Sequence, residues 1–280
     1  MKVLNENFFG EVNMFDFFKD NKLAIIAGPC VIENKNITFQ IATELKDIAA
    51  DLDINFIFKA SFDKANRSSI ESYRGPGIES GLDILAEVKQ DLKVPVLTDV
   101  HDVQSIQKIA TVVDILQIPA FLCRQTDLVV TAAKSMCTVK IKKGQFMAPW
   151  DMQNVLGKAY STGNKKIILT ERGSCFGYNN LIVDMRSLAK MREFGAPVVF
   201  DMTHSVQLPG GAGKSSSGQR EYIAPLARAA IACGVDGLFF ETHPDPSKAL
   251  SDGPNSIFLK DVRKLLSDFK VLHECISNLG

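Results

Sequence analysis

The chain has 280 residues, of which 46% are apolar, and its 32 basic and 32 acidic side chains give a net charge of zero. This length allows either two ordinary domains or one α/β barrel. The balanced charge argues against nucleic acid or a membrane surface as a partner, although a local cluster of cations could still bind small anions.

The N-terminal segment 1–22 is rich in Phe but interrupted by Asn, Asp and Glu, and it lacks the apolar core and cleavage site of a signal peptide. We expect it to form a strand or hairpin that caps the fold. No stretch reaches ~18 uninterrupted apolar residues, so the sequence predicts no transmembrane helix. The six cysteines are scattered without paired spacing, which predicts reduced thiols and a cytoplasmic protein.

Eight short runs rich in β-branched residues follow this segment. They span 23–28, 55–60, 95–100, 113–118, 138–143, 166–171, 197–202 and 236–241. Each run is nearly continuous in apolar residues, as expected of strands that are buried on both faces. The starts lie roughly 18 to 40 residues apart, which leaves room for one crossover helix after each strand.

The segments between these runs have the periodicity of amphipathic helices. Their apolar stripes are Ile41, Leu45 and Ile48; Leu82, Leu85 and Val88; Val103, Ile106 and Ala110; Leu128, Ala132 and Met136; Val155 and Ala159; Leu188 and Met191; Ile223, Ala227, Ala230 and Ile231; and Leu259, Val262 and Leu266. Asp102 is the expected N-cap of the third helix.

Eight βα units without a break in composition predict an α/β fold, a single (β/α)₈ TIM barrel over 23–280 with the segment 1–22 as an extension. A doubly wound open sheet is the alternative. That fold would have a glycine-rich turn after the first strand, whereas the turn here reads Ala27-Gly28-Pro29-Cys30.

Polar and ionisable residues follow every predicted strand. In chain order they are Cys30 and Glu33; Lys59, Asp63, Lys64, Asn66 and Arg67; Asp99 and His101; Gln117 and Arg124; Lys142; Glu171 and Arg172; Asp201 and His204; and Glu241 and His243. In a TIM barrel these strand ends meet at one mouth, where active sites are built. The sequence therefore predicts one site to which all eight strands contribute.

Six of these residues are cations, namely Lys59, Lys64, Arg67, Arg124, Lys142 and Arg172. So many positive charges at one mouth would repel one another unless anions lay between them. Arg suits bidentate contacts with phosphate, and Lys provides point charges. We therefore expect two phosphorylated or carboxylated ligands.

Cys30, His204, Glu241 and Asp252 form a second group, at or just after the ends of the first, seventh and eighth strands. Closure of a barrel makes its first and last strands neighbours, so these side chains could meet. Thiolate, imidazole and carboxylate together suit Zn²⁺ or Fe²⁺ better than Mg²⁺, with Mn²⁺ as a further candidate.

The segment 205–220 contains Gly213-Lys214-Ser215, which looks like the end of a phosphate-binding P-loop. That motif needs a glycine where the chain has Leu208, so the match fails. We interpret the segment as a mobile Gly/Ser-rich loop that closes over the site and excludes water.

At these residues the chain resembles the 3-deoxy-D-manno-octulosonate 8-phosphate synthases. The similar segments are AGPCVIE (27–33), FKASFDKANRSS (58–69), SYRGPG (72–77), LTDVH (97–101), QIPAFLCRQTDL (117–128), KKGQFMAPW (142–150), TERGSCFGYNNLIVDM (170–185), THSVQLPGG (203–211), ETHPDP (241–246) and SDGPN (251–255). The resemblance implies a TIM-barrel homotetramer in the cytoplasm. It also implies condensation of phosphoenolpyruvate with D-arabinose 5-phosphate, a step in making the inner-core sugar of lipopolysaccharide.

The resemblance assigns roles to individual residues. Those matching phosphoenolpyruvate-binding positions are Lys59, Lys64, Gln117, Lys142 and Arg172. Those matching sugar-phosphate positions are Asn66, Arg67, Ser68 and Arg124, of which the last would reach across a subunit interface; Gln207 is a further substrate-binding candidate. Cys30, His204, Glu241 and Asp252 match the ligands of the metal-dependent class, because the metal-independent class has AGPN at 27–30. Asp99, His101 and Asp252 are then the candidate proton carriers, and His204 takes part in catalysis as a ligand.

Three other functions remain open at this point. The 3-deoxy-arabino-heptulosonate 7-phosphate synthases share the ligands and the barrel, but they have a K-P-R-T-S-type segment where this chain has Lys64-Ala65-Asn66-Arg67-Ser68. A Schiff-base aldolase could use Lys59 or Lys142. A barrel that binds phosphosugars without catalysis is the third.

Overall fold

The computed structural model describes residues 14–67, 69–210 and 217–279. Its main sheet contains eight parallel strands: β1 Ala24–Gly28, β2 Asn55–Lys59, β3 Val96–Asp99, β4 Ile115–Ile118, β5 Thr138–Lys142, β6 Ile167–Glu171, β7 Val198–Asp201 and β8 Gly237–His243. Each lies on a predicted run, because strands covered on both faces are continuous in apolar residues.

Pairing between the first and last strands closes the sheet. Ile25, Ile26, Ala27 and Gly28 of β1 lie in parallel register with 238–241 of β8. The closed ring excludes the open doubly wound sheet and confirms the TIM barrel. A short strand, Ile257–Phe258, is added beside β8 and carries the chain into the last helix.

Eight helices surround the barrel: α1 Lys35–Asp51, α2 Ile78–Leu92, α3 Ile106–Ala110, α4 Thr126–Lys134, α5 Met152–Tyr160, α6 Arg186–Arg192, α7 Ile223–Ala232 and α8 Leu259–Ser277. Most of the predicted apolar stripes are buried against the strands. Burial of one face against the sheet, more than intrinsic propensity, stabilises helices as short as these.

Two details of the helix prediction are wrong. Asp102 does not cap α3; its carboxylate accepts a hydrogen bond from the backbone NH of Ser105, and the helix begins only at Ile106. Met136 lies beyond the end of α4 at Lys134, in the left-handed region with φ of 63°, and its side chain is exposed.

The described part of the N-terminal extension begins with a 3₁₀ helix, Met14–Phe18, where we expected a strand or hairpin; the rest of that prediction concerns residues outside the described part. Phe15 and Phe18 are buried in a cluster of inward-facing strand residues, which are Ala24, Ile26, Ile57, Leu97, Ile115, Ile168, Val199 and Phe239. The side chain of Asn55 donates a hydrogen bond to the carbonyl of Phe17 at 3.0 Å. The 3₁₀ helix therefore packs against the end of the barrel where the strands begin.

The predicted loop 205–220 has regular structure on both sides of 211–216, which lie outside the described residues. His204–Val206 is a 3₁₀ turn, and Gln207–Leu208 pairs antiparallel with Ser217–Gly218. These described parts form the base of a hairpin rather than an irregular loop. Among the described residues, no helix is long and apolar enough to span a membrane.

Candidate active site

A cavity of about 1070 Å³ opens at the carboxyl ends of the strands. The predicted residues that line it are Lys59, Lys64, Asn66, Arg67, Asp99, His101, Gln117, Lys142, Arg172, His204, Gln207, Glu241 and Asp252. The barrel thus brings together side chains that are up to 193 positions apart in the sequence, from 59 to 252. Residues that follow strands two to eight line this cavity, whereas Cys30 and Glu33, which follow the first strand, do not.

Cys30 is buried and lies close to two residues that line this cavity, Glu241 and Asp252. One ligand atom from each lies within 4.8 Å of the other two. Nε2 of His204 lies 3.6 Å from Oε2 of Glu241 and 3.9 Å from Oδ2 of Asp252. The described group that could hold an ion therefore comprises Cys30, Glu241 and Asp252, and His204 adjoins it through its contacts with the two carboxylates.

The imidazole of His204 is oriented by Asp201, the last residue of β7. The Asp201 carboxylate lies 2.9 Å from Nδ1 of His204 and also accepts a hydrogen bond from its backbone NH. Burial opposes ionisation of Asp201, but the charges of His204 and Lys142 outweigh it and hold the pKa of this carboxyl well below its ordinary value. With Nδ1 bonded to a carboxylate, Nε2 is the nitrogen that can bind a metal.

The donor set suits a divalent metal of borderline softness, because it combines sulfur, nitrogen and carboxylate oxygen. Burial and the negative charge of Glu241 raise the pKa of the Cys30 thiol. Loss of that proton therefore depends on a nearby cation, as in sites where metal binding releases protons. The same buried position places the thiol close to the carboxylates of Glu241 and Asp252, so one ion could contact all three groups.

Two lysines approach Glu241 from the opposite side. Nζ of Lys59 lies 2.7 Å and Nζ of Lys64 lies 3.8 Å from Oε1 of Glu241, while Oε2 faces His204. The pKa of Glu241 is lowered, because Lys59 and His204 together outweigh its burial. Glu241 thus divides its two oxygens between the cations and the metal-ligand group.

Lys142 also has a protein anion as its partner. Its Nζ lies 2.8 Å from Oδ2 of Asp201. The prediction that the cations need ligand anions between them was therefore too strong. Glu241 and Asp201 supply part of the negative charge themselves, and a bound anion would complete it.

The two arginines in the cavity have donors that the described residues leave unsatisfied. Arg67 bonds to Ser251 and to the carbonyl of Leu250, yet its buried Nε has no hydrogen-bond partner in the described part of the chain. Arg172 bonds to Gln207 and to the carbonyl of His204, and its buried Nη1 is similarly unsatisfied there. Because such donors are costly to leave unpaired, they favour an anionic ligand at both places.

Gln207 connects the cationic side of the cavity with the metal-ligand side. Its Oε1 accepts from Arg172 at 3.0 Å, and its Nε2 donates to Oδ1 of Asp252 at 3.1 Å. Both ends of the amide are therefore hydrogen-bonded, and these bonds orient the side chains of Arg172 and Asp252.

Asp99 lies at the centre of a buried hydrogen-bond chain. Its carboxylate accepts from the hydroxyl of Ser61 and from the Gln117 amide, and Oε1 of Gln117 accepts from Nζ of Lys140 at 2.7 Å. Burial alone would raise the pKa of Asp99, but Lys59 and Lys64 lower it far below its ordinary value. Burial lowers the pKa of the neighbouring His101, so this imidazole is neutral at neutral pH.

Sequence reasoning missed Lys140 and Ser61. Lys140 is fully buried, and burial lowers the pKa of its amine well below the ordinary value. The signal was present in β5, where Lys140 and Lys142 alternate with apolar residues and so point to the same side of the strand. Only Lys142, at the end of the strand, had been assigned to the site.

Phe239 of β8 lies beneath this group of cations. Nζ of Lys140 and Nζ of Lys142 lie 4.4 and 4.1 Å from the centre of its ring, and Nζ of Lys59 lies 5.7 Å from it. The negative face of an aromatic ring stabilises nearby cations, the more so when they are desolvated. This buried ring in the barrel interior therefore helps to hold the positive charges in place.

Several predicted residues lie elsewhere. Arg124 is exposed and is not among the described residues that line the cavity, and Ser68 is outside the described residues. Glu33, Asp63, Glu171 and His243 are not at the cavity surface either. Asp63 pairs with Arg74, Glu33 faces His243, and Glu171 faces Lys143. Ionisable residues at strand ends were therefore not all part of the mouth; some brace the loops around it.

Comparison with known proteins gives consistent relatives. The family model described as the DAHP synthetase I family matches residues 16–277. The chain is 59% identical over 256 residues to the 2-dehydro-3-deoxyphosphooctonate aldolase of Syntrophotalea carbinolica, covering 91% of this chain and 92% of that one. It is 60% identical to the protein of that name from Geobacter metallireducens, over 89% and 92% of the two chains. For the Coxiella burnetii protein of the same name the identity is 58%, over 95% of each.

Proposed function

This chain belongs to the DAHP synthetase I family, and we propose that it condenses phosphoenolpyruvate with D-arabinose 5-phosphate and water. The products are 3-deoxy-D-manno-octulosonate 8-phosphate and inorganic phosphate. The name of the relatives, 2-dehydro-3-deoxyphosphooctonate aldolase, denotes this same activity. The observation that carries the proposal is one cavity lined by cations and by His204, Glu241 and Asp252, with the Cys30 thiol close to the two carboxylates.

The cationic side suits phosphoenolpyruvate, which carries a carboxylate and a phosphate. Lys59, Lys64, Lys142 and Arg172 surround the space where it would bind, with Gln117 beside them. The unsatisfied Nη1 of Arg172 would donate to one of its anionic groups. These contacts would hold the C3 carbon in position to attack an aldehyde, and such positioning can supply on the order of 7–11 kcal/mol.

The sugar phosphate would bind at Asn66 and Arg67, with Ser68 and, from a neighbouring subunit, Arg124. Arg67 is already anchored through its two terminal nitrogens, so its Nε is free to meet a phosphate oxygen. Because the phosphate would be fixed at this end, the C1 aldehyde would extend toward His204 and Asp252. A homotetramer would supply the Arg124 contact.

We propose that Cys30, His204, Glu241 and Asp252 hold a divalent ion, with Zn²⁺ or Fe²⁺ favoured by the donor set and Mn²⁺ as a further candidate. A bound ion there would polarise the aldehyde oxygen or lower the pKa of a coordinated water. The protein's part is to orient the ligands, through Asp201 behind His204 and Gln207 behind Asp252.

In the reaction, C3 of phosphoenolpyruvate attacks C1 of the sugar, and water captures the positive charge that develops at C2. The resulting hemiketal phosphate loses phosphate by cleavage of its C–O bond. Asp99, His101 and Asp252 are the groups placed to move protons. His101 is suited to this role because its lowered pKa leaves it neutral and able to accept a proton.

A Schiff-base mechanism fits the contacts less well. Lys59 and Lys142 each form a short ion pair with a carboxylate, and a charged ammonium group is not a nucleophile. Lys140, whose pKa is lowered, is fully buried and does not line the cavity. Borohydride should therefore trap no adduct of enzyme and substrate.

Phosphate release from phosphoenolpyruvate tests the function. We expect release with arabinose 5-phosphate, none without an aldehyde, and release at least about 100-fold slower with erythrose 4-phosphate. Faster turnover of erythrose 4-phosphate would identify the heptulosonate synthase instead. Binding of both substrates in a calorimeter without any phosphate release would identify a non-catalytic phosphosugar-binding barrel.

A further inference from the structure

Ser251 lies between the metal-ligand group and the sugar-phosphate arginine, and no role has been assigned to it above. It immediately precedes Asp252, and its side chain is 4% exposed. Its Oγ is 3.0 Å from Sγ of Cys30 and 2.8 Å from Nη1 of Arg67. One hydroxyl therefore contacts a residue from each side of the cavity.

The chemistry of a hydroxyl suits this double contact. Serine offers one O–H donor and two lone pairs, whereas a guanidinium can only donate. With Cys30 as a thiol, Oγ accepts from Nη1 of Arg67 and from Sγ of Cys30. Loss of the thiol proton on metal binding would leave the Ser251 hydroxyl as the donor of the second contact. A thiolate that ligates a metal only accepts hydrogen bonds, so the same hydroxyl can serve both neighbours at once.

The backbone around Ser251 joins the same residues. The carbonyl of Leu250 accepts the second terminal nitrogen of Arg67 at 3.1 Å, and the backbone NH of Leu250 donates to Glu33 at 2.9 Å. Asp252 follows with φ of 49°, in the left-handed region that few non-glycine residues adopt. The segment 250–252 is thus held in one conformation by contacts to Arg67, Glu33 and Cys30.

We propose that Ser251 is a positioning residue that couples the metal site to the sugar-phosphate site by donating to the Cys30 sulfur while it orients Arg67. The part of this inference that concerns the sugar phosphate rests on the proposed function. Hydrogen bonds of this kind to a ligand typically change metal affinity or activity by 10- to 100-fold when they are removed. Loss of the Ser251 hydroxyl should therefore weaken both sites together.

The test is Ser251→Ala, with Ser256→Ala as the matched control. Ser256 is in the same segment of the chain and is also buried, and its hydroxyl donates to the carbonyl of Asp252 at 3.2 Å. Ser251→Thr keeps the hydroxyl and serves as the conservative variant. Thermal unfolding of the metal-free proteins checks that all three fold as the wild type does.

Two readouts are needed, and the first does not require turnover. Co²⁺ affinity is measured by competition with a chelator, together with the thiolate-to-cobalt charge-transfer band. We expect Ser251→Ala to weaken Co²⁺ binding about 10-fold and to shift the band, because the sulfur loses a hydrogen bond. Ser256→Ala should leave both unchanged, and Ser251→Thr should restore most of the affinity.

The second readout is the KM of each substrate. Ser251→Ala should raise the KM for arabinose 5-phosphate about 10-fold and leave that for phosphoenolpyruvate within about twofold, because only Arg67 loses an anchor. Unchanged Co²⁺ affinity and an unchanged band in Ser251→Ala would overturn the proposal, as would equal increases in both KM values. A wild type that does not turn over arabinose 5-phosphate would instead refute the proposed function, while the cobalt result would still judge the contact to Cys30.

Discussion

Single residues in this cavity act through the neighbours that orient them. Asp201 holds His204, Gln207 holds Asp252, and Glu241 gives one oxygen to Lys59 while the other faces His204. Because the partners are charged and buried, the protonation states of the cavity are linked to the stability of the fold.

Replacement of Asp99 by Asn should show this linkage. Lys59 and Lys64 hold the pKa of Asp99 below its unfolded value of about 3.9, so its ionised form stabilises the fold above that pH. The stability is lost as pH falls below about 4 toward the folded-state pKa. The free-energy difference between wild type and Asp99→Asn should therefore be large at pH 7 and shrink toward pH 3.

Chemical denaturation of the metal-free proteins at both pH values measures the effect. The exposed Asp91→Asn is the control, and its difference from wild type should be small at both. A difference for Asp99→Asn that is as large at pH 3 as at pH 7 would contradict the assignment.

Lys140 gives a second prediction at this scale. It is fully buried, and its amine donates a hydrogen bond to Oε1 of Gln117. Because burial of this amine is costly and lowers its pKa, Lys140→Met should change stability little, but it frees the Gln117 amide to turn. We expect a rise of severalfold in the KM for phosphoenolpyruvate without a matching loss of folded protein.

Lys143→Met is the matched control for Lys140. Lys143 is also fully buried, but it pairs with Glu171 at 3.4 Å and donates to Ser174 outside the cavity. Removing one partner of a buried pair typically costs about 3–5 kcal/mol, so this variant should be the less stable one. Equal stability losses in the two lysine variants would refute the distinction.

At the scale of elements, the contact between β1 and β2 leaves no room for a side chain at Gly28. A Cβ there would lie 1.9 Å from the backbone oxygen of Lys59, which cannot move without separating the strands. Gly28→Ala should therefore destabilise the fold by at least about 2 kcal/mol and disturb both Cys30 and Lys59.

Gly157 in α5 provides the opposite case. A Cβ there would meet nothing within 4 Å among the described atoms, so Gly157→Ala should stabilise the protein by about 0.5–1 kcal/mol. Denaturant unfolding of both variants compares them directly. Stabilisation by Gly28→Ala would show that the two strands are not packed as described.

The elements themselves were largely predictable from the sequence. Parallel strands buried on both faces leave continuous apolar runs, and the outer helices leave stripes. The errors arose at element ends. The periodicity at Val103 and Met136 continued the stripes of α3 and α4 past their real limits, where local turns replace the helix. The segment 1–22 was predicted to form a strand or hairpin; its described part begins with the 3₁₀ helix Met14–Phe18, and the remainder of that prediction lies outside the described residues.

At the scale of the whole molecule, part of the site was predictable from the sequence. A closed ring makes the first and last strands neighbours, so residues far apart in the chain lie close together. That argument located Cys30 beside Glu241 and Asp252. It could not foresee side-chain pairing within the mouth, such as the ion pair of Lys142 with Asp201. Nor could the argument distinguish residues that line the cavity from residues that form ion pairs outside it, such as Glu171, because both kinds are charged and both lie at the ends of strands. The Arg124 contact requires a second subunit and remains a prediction.

The central claim is that one ion bound at Cys30, His204, Glu241 and Asp252 is needed for condensation at the adjacent cations. Phosphate release with both substrates should be measured on wild type after chelation, and again as Zn²⁺, Fe²⁺ or Mn²⁺ is returned, with metal content determined in each sample. We predict that activity falls with the metal removed and returns as about one ion per chain is restored. Full activity in the chelated, metal-free wild type would contradict the account.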